Sequence, residues 1–390
     1  MVKEHPLIKA NNVALIVDTA TDWGRLAISG ITSYVQEHDP WHLQVESSGT
    51  MEPKLPPPNW TGDGLIARVA NPQIVKVLEE IGLPVVNISS IRLPGTDFPR
   101  VTTDFRASSQ LACEYFLNRG FQHFAYIGPF YRSVVDDYYG HLKEVLHEQG
   151  LPCESYNLPA SYDEKLGWAE RMKALQDWLI QLPKPIAIIS WGGDPGRVVI
   201  DACNRIDLPV PHDVAVLSTD TNEPLDDTSH PSLSSIQVPA KLIGWTAAQM
   251  LDQLMKGKPL KEKEISFAPQ RILEKLSTDT LAITDSHLIK TLLFIREHAF
   301  NPISMDDILA RVPVSRRMME LKFRQHLGRS PMEEVKRLRI QKARNLLEST
   351  DKPMQDIAEA CGYATYNYMS YIFKRETGIS PSQYRQKIRH

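Results

Sequence analysis

Six side chains in the first 220 residues have the chemistry that binds a small polar molecule. They are Asp18, Trp23, Asp104, Trp191, Asp194 and Asp220. A carboxylate accepts hydrogen bonds from two neighbouring sugar hydroxyls, and an indole ring covers the apolar C–H face of a pyranose. These residue types therefore indicate a sugar site. An aspartate after a strand is also a common helix cap, and a tryptophan is often a core residue, so both alternatives stay open.

The aspartates follow segments that have the pattern of buried strands. Uniformly apolar, β-branched runs predict strands covered on both faces at 13–17, 64–69, 83–88, 124–127, 186–190 and 213–217. Helical patterns separate them at 24–37, 71–81, 107–119, 138–149, 166–181 and 197–206. Over residues 11–270 this alternation predicts an α/β fold with two parallel sheets. Ligands bind beyond the carboxyl ends of such strands, where the aspartates lie.

Composition excludes several classes of protein. The 390 residues are 42% hydrophobic and 23% charged, which is typical of a water-soluble globular protein of two or three domains. No apolar stretch is long enough to span a membrane, and the amino terminus has no signal-peptide pattern, so we expect a cytoplasmic protein. The cysteines Cys113, Cys153, Cys203 and Cys361 are at least 40 residues apart. This spacing predicts isolated buried thiols, with neither a metal nor a cofactor.

Charge is divided unevenly along the chain. Residues 285–390 contain 19 Lys and Arg against 12 Asp and Glu, whereas residues 1–284 contain 25 against 35. A basic tail on an acidic body is expected when one end of a protein binds a polyanion.

The tail has the pattern of an all-helical domain. A short apolar helix from Met305 ends before Pro313, and Ser315 is placed to cap the next helix. A longer helix around 335–347 follows and is expected to act as a rigid spacer. A second short helix from Met354 then ends at the turn glycine Gly362, and another helix begins near Thr365. The pattern predicts two helix-turn-helix motifs.

Residues 1–275 resemble a known family of effector domains. Segments 101–105, 117–128, 208–216 and 231–236 are similar to lac-repressor-type effector domains. The resemblance implies two doubly wound lobes of the periplasmic-binding-protein type around a ligand cleft, with Asp104 and Asp220 lining it. Where that family has a sugar-binding arginine this chain has Asp136 and Asp137, and Arg132 is the candidate substitute. Only 12 residues precede Val13, too few for that family's own DNA-binding module.

The tail resembles a second family. Segments 338–347, 357–363, 372–375 and 378–385 are similar to the tandem helix-turn-helix domain of the arabinose-activator family. The expected organisation is an effector domain at 1–275, a linker at 276–286 and a DNA-binding domain at 287–390. Such a pairing resembles bacterial xylose-operon regulators. It implies a D-xylose-like ligand, a homodimer, activation of sugar-use genes, and RNA polymerase as the partner of such an activator.

Helix geometry predicts which tail residues contact an operator duplex. Early positions of a recognition helix reach base edges; these are Arg316, Arg317, Glu320, Tyr366, Asn367, Ser370 and Tyr371. Arginine pairs with guanine, glutamate accepts from cytosine, and asparagine pairs with adenine. Lys322, Arg324, Lys374 and Arg375 are expected at phosphates. Each of these residues has the alternative of being an ordinary solvated side chain.

The sequence therefore predicts a ligand-controlled, sequence-specific transcription regulator that binds double-stranded DNA and a small neutral sugar. Two other classes were weighed. A sugar-binding transport component fits the body of the chain but not the basic tail. An enzyme would need a nucleophile elbow, phosphate loop or metal-ligand spacing, and none accompanies the histidines His123, His141, His147 and His212.

Overall fold

The chain folds into two compact units, Met1–Thr280 and Leu281–His390, here called the effector unit and the tail unit. A computed structural model describes residues 10–45, 56, 60–130, 133–159, 167–280, 282 and 285–389. The effector unit extends past the predicted boundary at 275. Ser277 is buried, and its hydroxyl donates to the carbonyl of Val216 (2.6 Å) and accepts from the backbone N–H of Ser234 (2.8 Å).

Strands and helices alternate through the effector unit. The first lobe begins with β1 (Asn11–Ile16), α1 (Asp22–Glu37), β2 (Trp41–Val45), β3 (Gly64–Ala67), α2 (Pro72–Ile81), β4 (Val85–Asn87) and β5 (Arg100–Thr103). The second lobe contains α3 (Phe105–Leu117), β6 (Phe124–Gly128), α4 (Ser133–His147), β7 (Cys153–Asn157), α5 (Trp168–Gln181), β8 (Ile186–Ser190), α6 (Gly193–Asn204), β9 (Val214–Ser218), α7 (Glu223–Asp226) and β10 (Ser234–Gln237). The chain then continues through α8 (Ala240–Met255), β11 (Glu264–Phe267) and β12 (Arg271–Leu273).

Each lobe of the effector unit is built on one six-stranded sheet. The strand orders are β11-β5-β4-β3-β1-β2 and β12-β10-β9-β8-β6-β7, and every pairing is parallel except that of β10 with β12. The chain passes from the first lobe to the second after β5, returns through α8 to β11, and crosses again to β12. Three connections therefore join the lobes, as a hinged two-lobed binding domain requires.

Both faces of the first sheet are buried, which explains the uniformly apolar strands. In β1, Val13 and Leu15 pack in one cluster with α1 and α8, whereas Ala14 and Ile16 pack on the opposite face with α2. Alternate residues of a strand point to opposite faces, so neither set can be polar. The prediction of parallel sheets covered on both faces is confirmed.

Helices α1 and α8 cross with their backbones in contact. A Cβ atom on Gly30 would lie 1.9 Å from the carbonyl oxygen of Lys241, and one on Gly244 would lie 1.9 Å from that of Ala27. The absence of side chains at both positions permits this approach. Because α1 begins beside the strand-end residues Asp18 to Trp23, the crossing also holds one wall of the cleft described below.

The tail unit is helical throughout its described regular structure. Its helices are α9 (Ser286–His298), α10 (Met305–Leu309), α11 (Arg316–Leu327), α12 (Pro331–Ser349), α13 (Met354–Ala360), α14 (Tyr366–Thr377) and α15 (Pro381–Arg389). The hydroxyl of Ser315 accepts from the N–H of Met318, and that of Thr365 accepts from the N–H of Tyr368. α11 thus begins at the predicted cap and α14 begins at Thr365, close to the predicted start, and two helix-turn-helix motifs result.

The sequence patterns missed the shorter and more polar elements. All six predicted strands are present, but β2, β5, β7 and β10 to β12 were not among them, and the long helix α8 was not predicted. Edge strands such as β7 have exposed residues and lose the uniformly apolar pattern. The four cysteines are free thiols as predicted, although Cys153 is only half-buried.

Candidate functional site

A cavity of about 100 Å³ lies in the cleft between the lobes of the effector unit. Its lining residues come from both lobes: Thr21, Trp23, Arg68, Ile88, Ser90, Ile91, Thr103, Val134, Trp191, Thr219, Asp220 and Val238. Several of them follow the carboxyl ends of β3, β4, β8, β9 and β10, and Thr103 is the last residue of β5. The structure therefore brings together Trp23, Trp191 and Asp220, three of the residues proposed from the sequence as ligand contacts.

The two tryptophans are held by different neighbours. The Trp191 ring lies edge-on to Phe105 and is tilted against Tyr138, with ring centroids 5.8 Å apart in both cases. The guanidinium of Arg68 lies 5.8 Å from the ring centroid of Trp23. Each indole therefore has a neighbouring ring or guanidinium beside it at the cavity wall.

Asp220 is the carboxylate of this cavity. The hydroxyl of Ser218 donates to its backbone carbonyl (2.7 Å), and the N–H of Asp220 donates back to that hydroxyl (3.3 Å), which fixes the turn after β9. Burial, followed by the negative charge of Asp226, raises the pKa of Asp220 to about 6, although the Ser218 hydrogen bond and the positive charge of Arg68 act in the opposite direction. The carboxyl group therefore titrates close to neutral pH.

Among the cavity residues that the sequence reasoning missed, Arg68 is the charged one. It follows β3 directly and its Nη1 lies 3.5 Å from a carboxylate oxygen of Asp18, which is only 2% exposed. Asp18 thus lies behind Arg68. The predicted strand at 64–69 includes Arg68, so the sequence places this residue inside the strand and not among the polar residues that follow it. The observed end of β3 at Ala67 would have identified it.

Two other predicted ligand contacts have different surroundings, and one is outside the described residues. Asp104 caps α3, where its carboxylate accepts from the N–H of Ala107 at 2.9 Å; this is the helix-cap alternative weighed above. The Asp194 side chain is 85% exposed and pairs with Arg197. It lines a separate groove of about 690 Å³ on the second lobe, because it lies in the first turn of α6, beyond the strand end. Arg132 lies outside the described residues.

A hydrogen bond joins the lobes beside the cavity. Asp22 in the first turn of α1 accepts from the backbone N–H of Glu223 in α7 at 3.1 Å, and its other oxygen accepts from Arg25 at 2.5 Å. Asp22 lies between the cavity residues Thr21 and Trp23. A change in the distance between the lobes would alter this contact and the cavity together.

The spacer helix α12 connects the two helix-turn-helix motifs through its charged side chains. Glu334, which is buried, receives hydrogen bonds from Arg337 (2.7 Å) and from Arg329. Arg339 donates to the carbonyl of Ala299 after α9 (2.6 Å), and Lys336 pairs with Glu376 of α14 (2.8 Å). Much of the basic charge on α12 therefore holds the tail unit together, as expected for a rigid spacer.

The predicted DNA contacts on α11 are of two kinds: some side chains are exposed on the outward side, and others form ion pairs within the tail unit. Arg317 and Arg324 are exposed on the side opposite the buried residues Met319 and Phe323. Arg316 pairs with Glu320 along the helix at 3.1 Å. Lys322 is largely buried and forms an ion pair with Asp285, so the predicted phosphate contact at Lys322 has no support in this geometry.

On α14 the same division is seen. Asn367, Tyr371 and Lys374 are exposed on the outward side, and Tyr371 is 62% exposed, with the Arg375 guanidinium 5.7 Å from its ring centroid. Ser370 is half-buried. Tyr366 packs against the core of the second motif, where its hydroxyl lies 3.3 Å from that of Ser382. Two surface helices with polar and basic outward faces are the elements that enter DNA major grooves.

Comparisons with known proteins agree with this arrangement. Sequence models of protein families match residues 12–107 (XylR N-terminal domain), 113–278 (periplasmic binding protein-like domain) and 308–387 (helix-turn-helix domain). The Xylose operon regulatory protein of Escherichia coli (strain K12) is 26% identical over 386 residues, covering 97% of each chain. That of Haemophilus influenzae is 26% identical over 383 residues, covering 96% of this chain and 97% of the relative.

Solved structures agree with the sequence comparisons. A structure titled xylose-binding transcription activator xylR superposes with a TM-score of 0.81 at 26% identity, covering 97% of this chain and 98% of that one. The chain is a transcription regulator that joins a periplasmic-binding-protein-like effector domain to an arabinose-activator-type helix-turn-helix domain. CcpA of Lactococcus lactis, with a TM-score of 0.54 at 17% identity over 70% of this chain, shares the fold of the effector domain.

The regulator's relatives are transcription regulators and not enzymes, which confirms the prediction on catalysis. Within the described part of the regulator, no helix has the length and apolar content needed to cross a bilayer. The same residues contain no group of three or more potential metal ligands from His, Cys, Asp and Glu.

Proposed function

We propose that the regulator senses D-xylose in the cleft between its lobes and activates transcription in response. The observation that carries the proposal is the cavity lined by Trp23, Trp191, Arg68 and Asp220. Relatives named as xylose regulators along 97% of the chain support the choice of sugar. A neutral polyol matches this set because its hydroxyls both donate to a carboxylate and accept from a guanidinium.

Each side chain has a separate task in binding. Trp23 and Trp191 cover the C–H faces of the sugar ring from the two lobes. The Asp220 carboxylate accepts from adjacent hydroxyls, and Arg68 donates to sugar oxygens while Asp18 keeps it in position. Hydrogen bonds to charged groups contribute about 1.5–3 kcal/mol each, so the Asp220 and Arg68 contacts dominate specificity and the indoles add apolar burial.

Sugar binding acts on DNA through the closure of the lobes. A sugar that contacts both lobes binds the closed arrangement more tightly than the open one and shifts a pre-existing equilibrium toward it. The Asp22 contact with Glu223 would belong to the closed arrangement. Because coupling between two binding sites is reciprocal, operator DNA must tighten sugar binding by the same factor as sugar tightens DNA binding.

The regulator is further proposed to act in the cytoplasm as a homodimer that recruits RNA polymerase. Its two recognition helices α11 and α14 would enter successive major grooves about 34 Å apart, so one tail unit reads an asymmetric site. Sedimentation at micromolar concentration, with and without D-xylose, tests the dimer. A monomer under both conditions would remove that part of the proposal.

Sugar-dependent DNA binding is the direct test of the function. We expect the full chain to select a duplex from a random library and to bind it more tightly with D-xylose than without. Binding should weaken steeply with salt, because each phosphate contact contributes about −0.9 to the slope of log K against log salt concentration. Gel shifts with a panel of pentoses and hexoses identify the sugar. No sugar effect on DNA, despite heat from sugar binding, would instead favour a sugar-binding transport component.

The pH dependence of sugar binding tests the role of Asp220. Sugar hydroxyls donate to the ionised carboxylate, so we expect the dissociation constant to rise as pH falls below about 6, by up to about tenfold per pH unit if the protonated form does not bind. Calorimetric titration between pH 5 and 7.5 measures this. Asp226→Asn should move the onset to lower pH because it removes a negative charge that raises the pKa of Asp220. A dissociation constant that is constant over this range would contradict the assignment.

A further inference from the structure

The two recognition helices are copies of one structural unit at an offset of 50 residues. Residues 50 positions apart have the same roles in the two units. The pairs are the N-caps Ser315/Thr365, the buried Met319/Met369 and Phe323/Phe373, the left-handed glycines Gly328/Gly378, and the first residues of the next helices, Pro331/Pro381. Both helices contain 12 residues. The outward faces of α11 and α14 can therefore be compared position by position.

The outward row of each helix lies opposite its buried residues. At 100° per residue, position 321 lies farthest from Met319 and Phe323, and the exposed positions 317 and 324 lie about one turn before and after it on the same side of the helix. They correspond to 367, 371 and 374 on α14. The row on α14 is Asn367, Tyr371 and Lys374, whereas the row on α11 is Arg317, Leu321 and Arg324. The central position of the α11 row is thus occupied by an aliphatic side chain.

Leu321 is an exposed apolar side chain, and so is its neighbour Met318. It is 47% exposed, and its neighbour Met318 is 45% exposed. The polar residues on either side of it are already engaged, because Glu320 pairs with Arg316 and Lys322 pairs with Asp285. Two arginines, at positions 317 and 324, remain on the row to hold the helix against a polyanion.

We propose that Leu321 recognises the C5-methyl group of a thymine in the operator half contacted by α11. This inference rests on the DNA-binding function of the tail unit. In the major groove, thymine presents a methyl group that apolar side chains contact, while cytosine presents an amino donor at the neighbouring position. A leucine between two arginines can bury that methyl group but cannot satisfy the cytosine amino group. The equivalent Tyr371 on α14 carries a hydroxyl and belongs to a different half-site.

Selection from a random duplex library, with D-xylose present, tests the inference in the full chain. We expect wild-type protein to select thymine at one position in the α11 half and Leu321→Ala to lose that preference while retaining the rest of the site. Leu321→Met should keep the thymine preference because it retains an apolar tip. His326→Ala is the matched control, since His326 is exposed on the same helix but lies on the side of the buried residues.

Removing the methyl group from the DNA gives an independent measurement. Thymine→deoxyuridine at the selected position should weaken binding of wild-type protein about fourfold, the effect of losing one buried methyl group, and should not affect Leu321→Ala. In a cytosine-substituted site, 5-methylcytosine should bind wild-type protein more tightly than cytosine does. Equal affinity for thymine and deoxyuridine, or an unchanged selected sequence for Leu321→Ala, would overturn the inference. A wild-type chain that selects no sequence would overturn sequence-specific DNA binding itself.

Discussion

Asp220→Ala is expected to weaken D-xylose binding at least about 100-fold while leaving the affinity for DNA without sugar unchanged. The carboxylate accepts from two sugar hydroxyls in the proposed complex, and each charged hydrogen bond contributes about 1.5–3 kcal/mol. Calorimetric titration measures the loss, and gel shifts without sugar measure the DNA affinity. The tail unit is separate from the mutated turn, so its fold is not affected.

Asp194→Ala is the matched control for this experiment. Asp194 was an equal candidate from the sequence, but its side chain is exposed and lines the groove on the second lobe. We expect its removal to change the sugar dissociation constant less than twofold, in line with the small effects of most surface substitutions. If Asp194→Ala abolished sugar binding and Asp220→Ala did not, the ligand site would lie in the other groove and the assignment of the cleft would fail.

Asp220→Ala should also raise the stability of the sugar-free effector unit at neutral pH. Folding raises the pKa of Asp220 from 3.8 to about 6, so ionisation of this group costs the folded state free energy as pH rises through that interval. A variant without the carboxyl group does not have this cost. A stabilised protein that no longer binds sugar would separate loss of function from misfolding.

Gly244→Ala is expected to lower the free energy of unfolding of the effector unit by about 3 kcal/mol or more. The added methyl group would lie 1.9 Å from the carbonyl oxygen of Ala27, so α1 and α8 must move apart. Overpacking a core costs about 1–3 kcal/mol, occasionally more, and here the obstacle is backbone, which cannot rotate away. Urea unfolding followed by circular dichroism measures the change.

Gly140→Ala is expected to raise the free energy of unfolding, although it is the same type of substitution as Gly244→Ala. Gly140 lies within α4, and apart from its own helix backbone and its chain neighbours a Cβ atom at this position would meet nothing within 4 Å. Alanine in a helix is favoured over glycine by about 0.8–1 kcal/mol, so this variant should be more stable than wild type. If both variants unfolded at the same urea concentration as wild type, the close backbone contact between α1 and α8 would not contribute to the stability of the effector unit as predicted.

The regular elements and their caps were largely determined by the local sequence. The apolar runs of β1, β3, β8 and β9 predicted strands covered on both faces, because a strand without polar positions is recognisable within one segment. Ser315 and Thr365 predicted where α11 and α14 begin, because a cap is a contact between residues three positions apart. The division of charge between body and tail likewise needed only counting.

The tertiary structure decided which strand-end residues reach the cleft and which helix residues are available to DNA. Asp194 and Asp220 follow neighbouring strands, yet the first turn of α6 directs one to the outer groove and the turn after β9 directs the other to the cavity. Arg68 enters the cavity because β3 ends at Ala67, and Lys322 is engaged by Asp285, 37 residues away in sequence. Such contacts depend on strand order and helix rotation, which no local pattern contains.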